Sequence, residues 1–239
     1  MKWLIYLIIT LSLGSCVSTY PTMNYSTSQN VPLFENRNEV RLSAATGSQY
    51  YGFQGAYACT NLLALMGSYS NGLISDGGNR NSREFAIGYY KYKPKDSSTF
   101  EIYGGVERYY RDFTVWTDAL AGSLPSDSFR TNATKFFIQV DGANYTKRNH
   151  CFAPSIKVGY LIYDHFYFVH YDPYNGPTTY RKSAKSSAVI EPCMTYRLGL
   201  HALSFQAQAG ITFQNAVSMY DTGGNIFFNF GLSLRLFGK

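Results

Sequence analysis

The amino-acid sequence predicts an all-β chain, namely a transmembrane, antiparallel, up-and-down β-barrel of about ten strands, or of about twelve. Apolar and polar side chains alternate strictly through residues 203–213 and 226–237, as in a strand with one apolar face. Each run has roughly the 9–11 residues that a tilted strand needs to cross a bilayer. Charged residues make up only 15% of the chain and aromatic residues 17%, whereas soluble domains carry roughly 25% charged residues. A secreted, soluble β-sandwich is the alternative fold.

The N-terminus has the pattern of a secretory signal peptide over residues 1–15. Lys2 precedes an apolar stretch that ends in small residues, which is typical of such leaders. The ending Leu13-Gly14-Ser15-Cys16 resembles a bacterial lipobox, and this resemblance implies that Cys16 is acylated and begins the mature chain. An ordinary signal peptide with an incidental cysteine is the alternative. Surface-exported lipoproteins of some bacteria carry acidic residues just after the cysteine, whereas Cys16 is followed by Val17-Ser18-Thr19, so we expect the lipid to lie in the periplasmic leaflet.

The mature chain divides into a tether and a barrel. Residues 16–38 are polar and contain Pro21 and Pro32 without any periodicity. They are interpreted as a lipidated N-terminal tether, or as a segment that folds into or under the barrel. Residues 39–237 are predicted to form the barrel.

The strands follow from the alternation, taken along the chain. They are predicted at about 39–46, 51–58, 62–70, 83–92, 99–109, 152–161, 166–172 and 189–198, before the closing hairpin at 202–237. The long interval 110–150 contains the strand-like stretch 133–140, which is interpreted as a hairpin above the membrane or as part of an additional pair. Short turns at 59–61, 93–97, 163–165 and 199–201 alternate with longer loops, as periplasmic turns alternate with surface loops in bacterial barrels.

The polar face of the strands is predicted to line the lumen. It carries both signs of charge, and opposite charges suit mutual pairing in a narrow interior, where unpaired charges are costly. The predicted lumen charge network consists of Glu101, Glu107, Lys157, Glu191, Arg197 and Arg235. A barrel of about ten strands is filled by such side chains, whereas wide channels need about 16–18 strands. A general porin is therefore not expected, whereas solute transport through a small polar lumen is kept as an alternative.

Basic residues in the predicted loops form a second candidate site. An anion-binding loop set, which could contact lipopolysaccharide phosphates, consists of Lys147, Arg148, Arg181, Lys182 and Lys185. Simple solvation of the loops is the alternative. The formal charge of +6 is scattered rather than clustered, so nucleic-acid binding is not expected. No Cys or His spacing suggests a metal, and no cofactor is predicted.

The histidines do not form a catalytic pattern. The predicted topology places His165 and His201 at periplasmic turns and His150 at the opposite rim. Only His150, or His170 together with Asp172, could act in an enzyme at the outer rim, because a general acid or base must be held within hydrogen-bond reach of the group that it protonates or deprotonates. The chain is therefore predicted not to be an enzyme.

Several stretches resemble small outer-membrane β-barrel proteins of Gram-negative bacteria, a group that includes uncharacterised barrel-domain lipoproteins. They are VPLFENRNEVRLSAATG, FQGAYACTNLLALMGSYS, FEIYGGVE, FAPSIKVGY, IEPCMTYRLGL and FNFGLSLRL. The resemblance covers most of residues 31–237. It implies insertion by the outer-membrane assembly machinery, contact with outer-membrane lipids, and no reaction. The predicted function is a structural or surface-interaction role. The alternatives are a narrow solute-transport barrel and an outer-rim enzyme that modifies lipids or cleaves proteins.

Overall fold

A computed structural model describes residues 28–47, 50–72, 79–119, 122–145, 150–172, 176–182, 186–200, 202–214 and 225–237. The predicted signal peptide and Cys16 lie outside these residues. The described chain contains eleven strands: β1 (Val40–Gly47), β2 (Tyr50–Ala58), β3 (Leu63–Gly72), β4 (Asn79–Lys93), β5 (Ser98–Ala119), β6 (Gly122–Tyr145), β7 (His150–Asp172), β8 (Gly176–Lys182), β9 (Ser186–Leu200), β10 (Leu203–Gln214) and β11 (Asn225–Leu236).

Ten of these strands close into an antiparallel barrel. Each ring strand pairs with its neighbours in sequence, except that β7 pairs with β9 as well as with β8. The ring closes between β1 and β11, where Val40 is opposite Leu236 and Gly47 is opposite Asn229. β8 pairs with the end of β7 and stays outside the ring. The predicted barrel and its even strand count are confirmed, and the β-sandwich alternative is wrong because no free edge remains between β1 and β11.

The identity of two ring strands differs from the sequence prediction. Residues 133–140 lie in the middle of β6 and belong to the ring. Residues 166–172, predicted as a separate strand, continue β7 beyond the ring. The predicted turn at 163–165 is a β-bulge, because Asn132 is opposite His165 while Ala133 is opposite Tyr163. The unpaired Asp164 interrupts the alternation there, and this interruption imitates a turn in the sequence.

The strands place their connections at two ends of the barrel. The terminal end carries Asn38, the turns 59–62 and 94–97, and the last residue of β11. At the opposite, outer end, the β5–β6 hairpin and the β7–β8 hairpin extend far past the ring, since β5, β6 and β7 have 22, 24 and 23 residues. Short turns at the end that holds both barrel termini, and long hairpins at the other, are the arrangement of outer-membrane barrels.

The outward face of the ring is apolar and the inward face is polar. Phe230, Phe53 and Ile138 point outward and are 54%, 60% and 58% exposed. Polar and charged side chains fill the inside, among them Glu101, Gln139 and Asp141, which are all fully buried. A barrel of this kind buries its polar face within itself and offers its apolar face to lipid. Within the part of the chain that the structure describes, no helix has both the length and the apolar character needed to cross a membrane.

Two adjacent glycines of β5 provide a matched test of which positions point into the lumen and which point outward. A Cβ atom at Gly105, on the inside, would lie 2.5 Å from Ala86 Cβ and 2.6 Å from Phe137 Cζ, whereas one at Gly104, on the outside, meets nothing within 4 Å. We expect Gly105→Ala to lower the free energy of unfolding by about 1–3 kcal/mol through overpacking. Gly104→Ala should not lower it, because glycine itself weakens a strand interior. Urea unfolding of both variants in detergent measures the difference, and equal stabilities would contradict the assigned facing.

Candidate functional site

The N-terminal end of the described chain lies inside the barrel. Residues 28–35, here called the lumen segment, form neither helix nor strand, and residues 28–34 are buried. Val31, Leu33 and Phe34 are fully inaccessible to solvent. Buried backbone groups need hydrogen-bond partners, and in this segment side chains from the barrel wall supply them.

Wall side chains hold the carbonyl groups of the lumen segment. Arg197 donates from Nη1 to the Pro32 carbonyl at 3.0 Å and from Nη2 to the Val31 carbonyl. Other donors are Gln54 to the Ser28 carbonyl at 3.1 Å, Gln208 to Gln29 at 2.8 Å, Gln139 to Asn30 at 2.7 Å, and Arg41 and the Tyr145 hydroxyl to Leu33, both at 3.0 Å. The donors come from five different strands (β1, β2, β6, β9 and β10), so the segment is held from several sides of the lumen.

Glu101 accepts the backbone N–H groups of the same segment. The amide of Leu33 donates to Oε2 at 3.1 Å and that of Phe34 donates to Oε1 at 2.7 Å. Leu33 has a φ of 60°, a left-handed conformation that is uncommon for a residue with a large side chain. This conformation turns two successive N–H groups toward one anion, as in a backbone nest. The Glu101 carboxylate therefore fixes the bend of the segment.

Side chains of the lumen segment also reach the wall. Asn30 Nδ2 donates to the carbonyls of Gly55 and Gly67 at 3.1 and 3.2 Å, and Gln29 donates to the Glu191 carbonyl at 2.6 Å. Phe34 packs on Tyr90, with the ring centroids 5.3 Å apart. The segment thus fills the terminal half of the lumen with both polar and apolar contacts.

A belt of five charged side chains crosses the lumen. This charge belt consists of Glu84, Glu107, Lys135, Lys157 and Glu191, from five different strands. Lys135 Nζ lies 2.9 Å from Glu107 Oε2 and 2.8 Å from Glu191 Oε2, and Lys157 Nζ lies 2.6 Å from Glu84 Oε2. Because these groups are cut off from water, removing one partner would leave a charge that nothing solvates.

A second ionic cluster closes the terminal end. Glu35 of the lumen segment lies 2.9 Å from Arg235, and Glu39 lies 2.6 Å from Arg41 and 3.3 Å from Arg235. Glu39 Oε2 also accepts the backbone N–H groups of Glu35 and Asn36 at 3.1 and 3.2 Å. This cluster ties the point where the chain leaves the lumen to the seam between β1 and β11.

The structure distributes the predicted lumen network over these three groups. Glu101 and Arg197 hold the lumen segment, Arg235 belongs to the terminal cluster, and the other predicted residues (Glu107, Lys157 and Glu191) belong to the charge belt. Sequence reasoning missed Lys135, because the stretch around it was interpreted either as a hairpin above the membrane or as part of an additional pair of strands. It also missed the buried Asp141, which accepts from Gln139 at 2.9 Å. The alternation of Lys135, Gln139 and Asp141 with apolar neighbours is the signal that identifies this stretch as a ring strand.

The basic loop set lies only partly within the residues that the structure describes. Arg181 and Lys182 belong to β8 at the outer end. Lys147 and Arg148 lie outside the described residues, between Tyr145 and His150, both of which are at the terminal end. Lys185 also lies outside the described residues. The interpretation of these five residues as one anion-binding site therefore stays a prediction.

The predicted positions of the histidines need correction. His150 is opposite Leu198 near the terminal end, not at the outer rim, because residues 133–140 add a ring strand before it. Its Nδ1 lies 2.6 Å from the Tyr196 hydroxyl. His165 and His170 belong to the outer part of β7, and His201 lies outside the described residues. In the described part of the chain, no three His, Cys, Asp or Glu side chains are grouped as metal ligands.

No protein-family model matches this chain, and no curated protein matches it in sequence. Among solved structures, it is similar to the translocator domain of the autotransporter NalP from Neisseria meningitidis, with 10% identity, a TM-score of 0.45, and coverage of 83% of this chain and 86% of that one. The β domain of the Bordetella autotransporter BrkA matches with 10% identity and a TM-score of 0.41, covering 82% and 97%. The N-terminal β-barrel domain of OprF from Pseudomonas aeruginosa matches with 12% identity and a TM-score of 0.30, covering 84% and 100%. These values are too low to say what this chain binds or does.

Proposed function

We propose that this protein is a closed outer-membrane β-barrel lipoprotein, with a structural or surface-interaction role, whose own N-terminal segment seals its lumen. The observation that carries the proposal is the burial of residues 28–34 together with their hydrogen bonds to the wall. A ring of ten strands has a narrow interior, and here that interior already holds a polypeptide. Solute therefore has no free path through the terminal half of the barrel.

Several features support an outer-membrane location. The ring is closed, its outward face is apolar, and its inward charges are paired. Such a surface is compatible with acyl chains but not with water. Insertion by the outer-membrane assembly machinery and acylation of Cys16 are parts of this proposal. Contact of the basic loop set with lipopolysaccharide phosphates stays a prediction, as does the absence of enzymatic activity.

The narrow transport barrel is the alternative, and single-channel conductance separates the two functions. We expect the full-length protein in planar bilayers to give no discrete current steps. A chain that lacks residues 17–34 should give small steps, because the polar lumen would then fill with water. A chain that lacks residues 17–23 is the matched control, since it keeps the lumen segment, and it should stay closed.

Folding of each chain is checked by heat-modifiable gel mobility before the currents are compared. Conductance of the full-length protein equal to that of the chain without residues 17–34 would contradict the proposed seal. Silence of both chains would also contradict it, because the closure would then not come from the lumen segment.

A further inference from the structure

We propose that two arginines on the outward face of the barrel, Arg83 of β4 and Arg108 of β5, bind the phosphate group of an outer-leaflet lipid. These two residues, here called the arginine pair, are directly opposite each other in the β4–β5 register. Both side chains are exposed, and they share the outward face with Phe85 and Val106. Residues directly opposite on one face have Cβ atoms about 4.5–5.5 Å apart, so both guanidinium groups can reach one anion.

The two positive charges of the arginine pair are not balanced by the protein. Like charges directly opposite each other in an antiparallel pair are destabilising. Arg108 Nη2 lies 4.0 Å from Asp164 Oδ2, and both side chains are exposed, so this contact stabilises little. The Arg83 side chain forms neither an ion pair nor a hydrogen bond with any residue that the structure describes. An external anion would therefore relieve a repulsion as well as add contacts.

The arginine pair lies at the outer boundary of the apolar band. On β4, the next outward residue toward the terminal end is Phe85, and the next toward the outer end is Asn81. Lys91, an exposed cation of the same strand, lies eight residues from Arg83. Eight residues span about 27 Å along a strand, or about 20 Å in height at a tilt of about 40°, compared with an apolar band about 25 Å tall. Arg83 and Lys91 are thus placed at the two headgroup levels of one bilayer.

An apolar surface adjoins the arginine pair on its terminal side. Phe85, Val106 and Phe136 are opposite one another on β4, β5 and β6, and all three are exposed. A lipid whose phosphate binds the arginine pair would lay its acyl chains over these side chains. Because membrane binding combines apolar contact with electrostatic attraction, this surface fits a phosphorylated lipid better than a free phosphate ion.

The donors of the site suit phosphate. A guanidinium group is always charged, and its planar fork of N–H groups matches phosphate oxygens in pairs. Tyr69 is opposite Arg83 on the same outward face, and its hydroxyl is a further donor. Arg130 is not part of the site, because it already pairs with Asp112 at 2.8 Å. The inference deepens the proposed surface-interaction role and rests on the outer-membrane location, but it does not depend on the lumen seal.

Urea unfolding of the full-length protein in nonionic micelles tests the site, because a ligand that binds only the folded chain raises the unfolding midpoint. The additives are diphosphorylated lipid A, the same lipid after removal of its phosphates, and inorganic phosphate. The test variants are Arg83→Gln with Arg108→Gln, and Arg83→Gln alone. The matched control is Lys91→Gln with Lys93→Gln, which removes two exposed cations from the terminal side of the apolar band on β4. Heat-modifiable gel mobility checks the folding of each chain.

We expect diphosphorylated lipid A to raise the unfolding midpoint of the natural chain and of the lysine control, and the other two additives to raise it little. The apparent affinity for diphosphorylated lipid A should fall by about tenfold or more for each arginine removed, because each loses charge-assisted hydrogen bonds. Unchanged affinity in the arginine variants, or an equal loss in the lysine control, would overturn the site. Equal stabilisation by the dephosphorylated lipid would overturn phosphate recognition, and equal stabilisation by inorganic phosphate would overturn the assignment to a lipid.

A separate measurement keeps this inference apart from the proposed function. The natural chain is mixed with phospholipid vesicles, and its insertion is followed by protection from added protease. Failure to insert would contradict the outer-membrane location, and the lipid site with it. Insertion of the natural chain together with unchanged lipid A affinity in the arginine variants would overturn the lipid site alone.

Discussion

Lys157→Met is expected to lower the free energy of unfolding by about 3–5 kcal/mol, because a buried charge that loses its partner is strongly destabilising. Lys157 Nζ lies 2.6 Å from Glu84 Oε2, and the two side chains are 1% and 0% exposed. The Lys157 ammonium also lies 4.5 Å from the centre of the Phe137 ring. Methionine keeps most of the side-chain volume and the apolar contact with Phe137. The loss of unfolding free energy can therefore be attributed to the missing positive charge. Urea unfolding of the refolded barrel, followed by tryptophan fluorescence and by gel mobility, gives the value.

Two controls separate the buried pair from ordinary surface charge. The double variant Lys157→Met with Glu84→Gln removes both charges and should lose less stability than Lys157→Met alone. Arg130→Met removes a cation that lies 2.8 Å from Asp112 but is 62% exposed, and exposed pairs contribute only about 0–1 kcal/mol. If Lys157→Met lowered the free energy of unfolding no more than Arg130→Met does, the charge belt would not be shielded from water.

Phe230→Arg is expected to lower the free energy of unfolding by about 2–4 kcal/mol, because an arginine on the outward face near the middle of the bilayer has neither water nor an anionic partner. Phe230 is the sixth residue of the twelve in β11 and is 54% exposed on the outward face. Urea unfolding of the barrel in lipid vesicles measures this loss. Vesicles are needed because the destabilisation arises from contact of the arginine with the acyl chains and not from contacts within the protein.

Leu203→Arg is the matched control for depth. Leu203 is 52% exposed on the same outward face, but it is the first residue of β10 and lies at the terminal rim. There the arginine can reach the headgroups and water, so the loss of unfolding free energy should be only about 0–1 kcal/mol. Equal costs at the two positions would mean that the outward face does not meet a bilayer.

The lumen segment and the charge belt divide the interior between them. The segment fills the terminal half, where its backbone satisfies Arg197, Glu101 and Gln139. The belt spans β4 to β9, where Lys135 and Lys157 join three carboxylates. Both groups link opposite parts of the wall through buried hydrogen bonds and ion pairs, so both stabilise the ring from inside. Loss of the segment should therefore loosen the barrel as well as open it.

Part of this architecture is already present in the sequence. The facing of the strands was predictable, because the side-chain period of a strand is two and most large aliphatic side chains share one face. Cys193 and Arg197 in β9 follow this rule, and both are buried. The barrel fold and the ring of ten strands also followed from the alternation. The alternation marked residues 133–140 as strand-like but did not decide whether they belong to the ring, because a hairpin above the membrane can show the same two-residue period.

By itself, the sequence determined which side chains face inward, because facing depends on a local repeat of two residues. The low share of charged residues and the length of the alternating runs favoured a membrane barrel over a sandwich. The tertiary structure alone decided which inward groups meet. Gln208 binds the Gln29 carbonyl across 179 residues of sequence, and Lys157 finds Glu84 across 73. The lumen segment has no periodicity to reveal its place, and its direction is fixed only when the closed ring surrounds it. Local pattern sets the facing of a strand, whereas closure of the ring sets the contacts across its lumen.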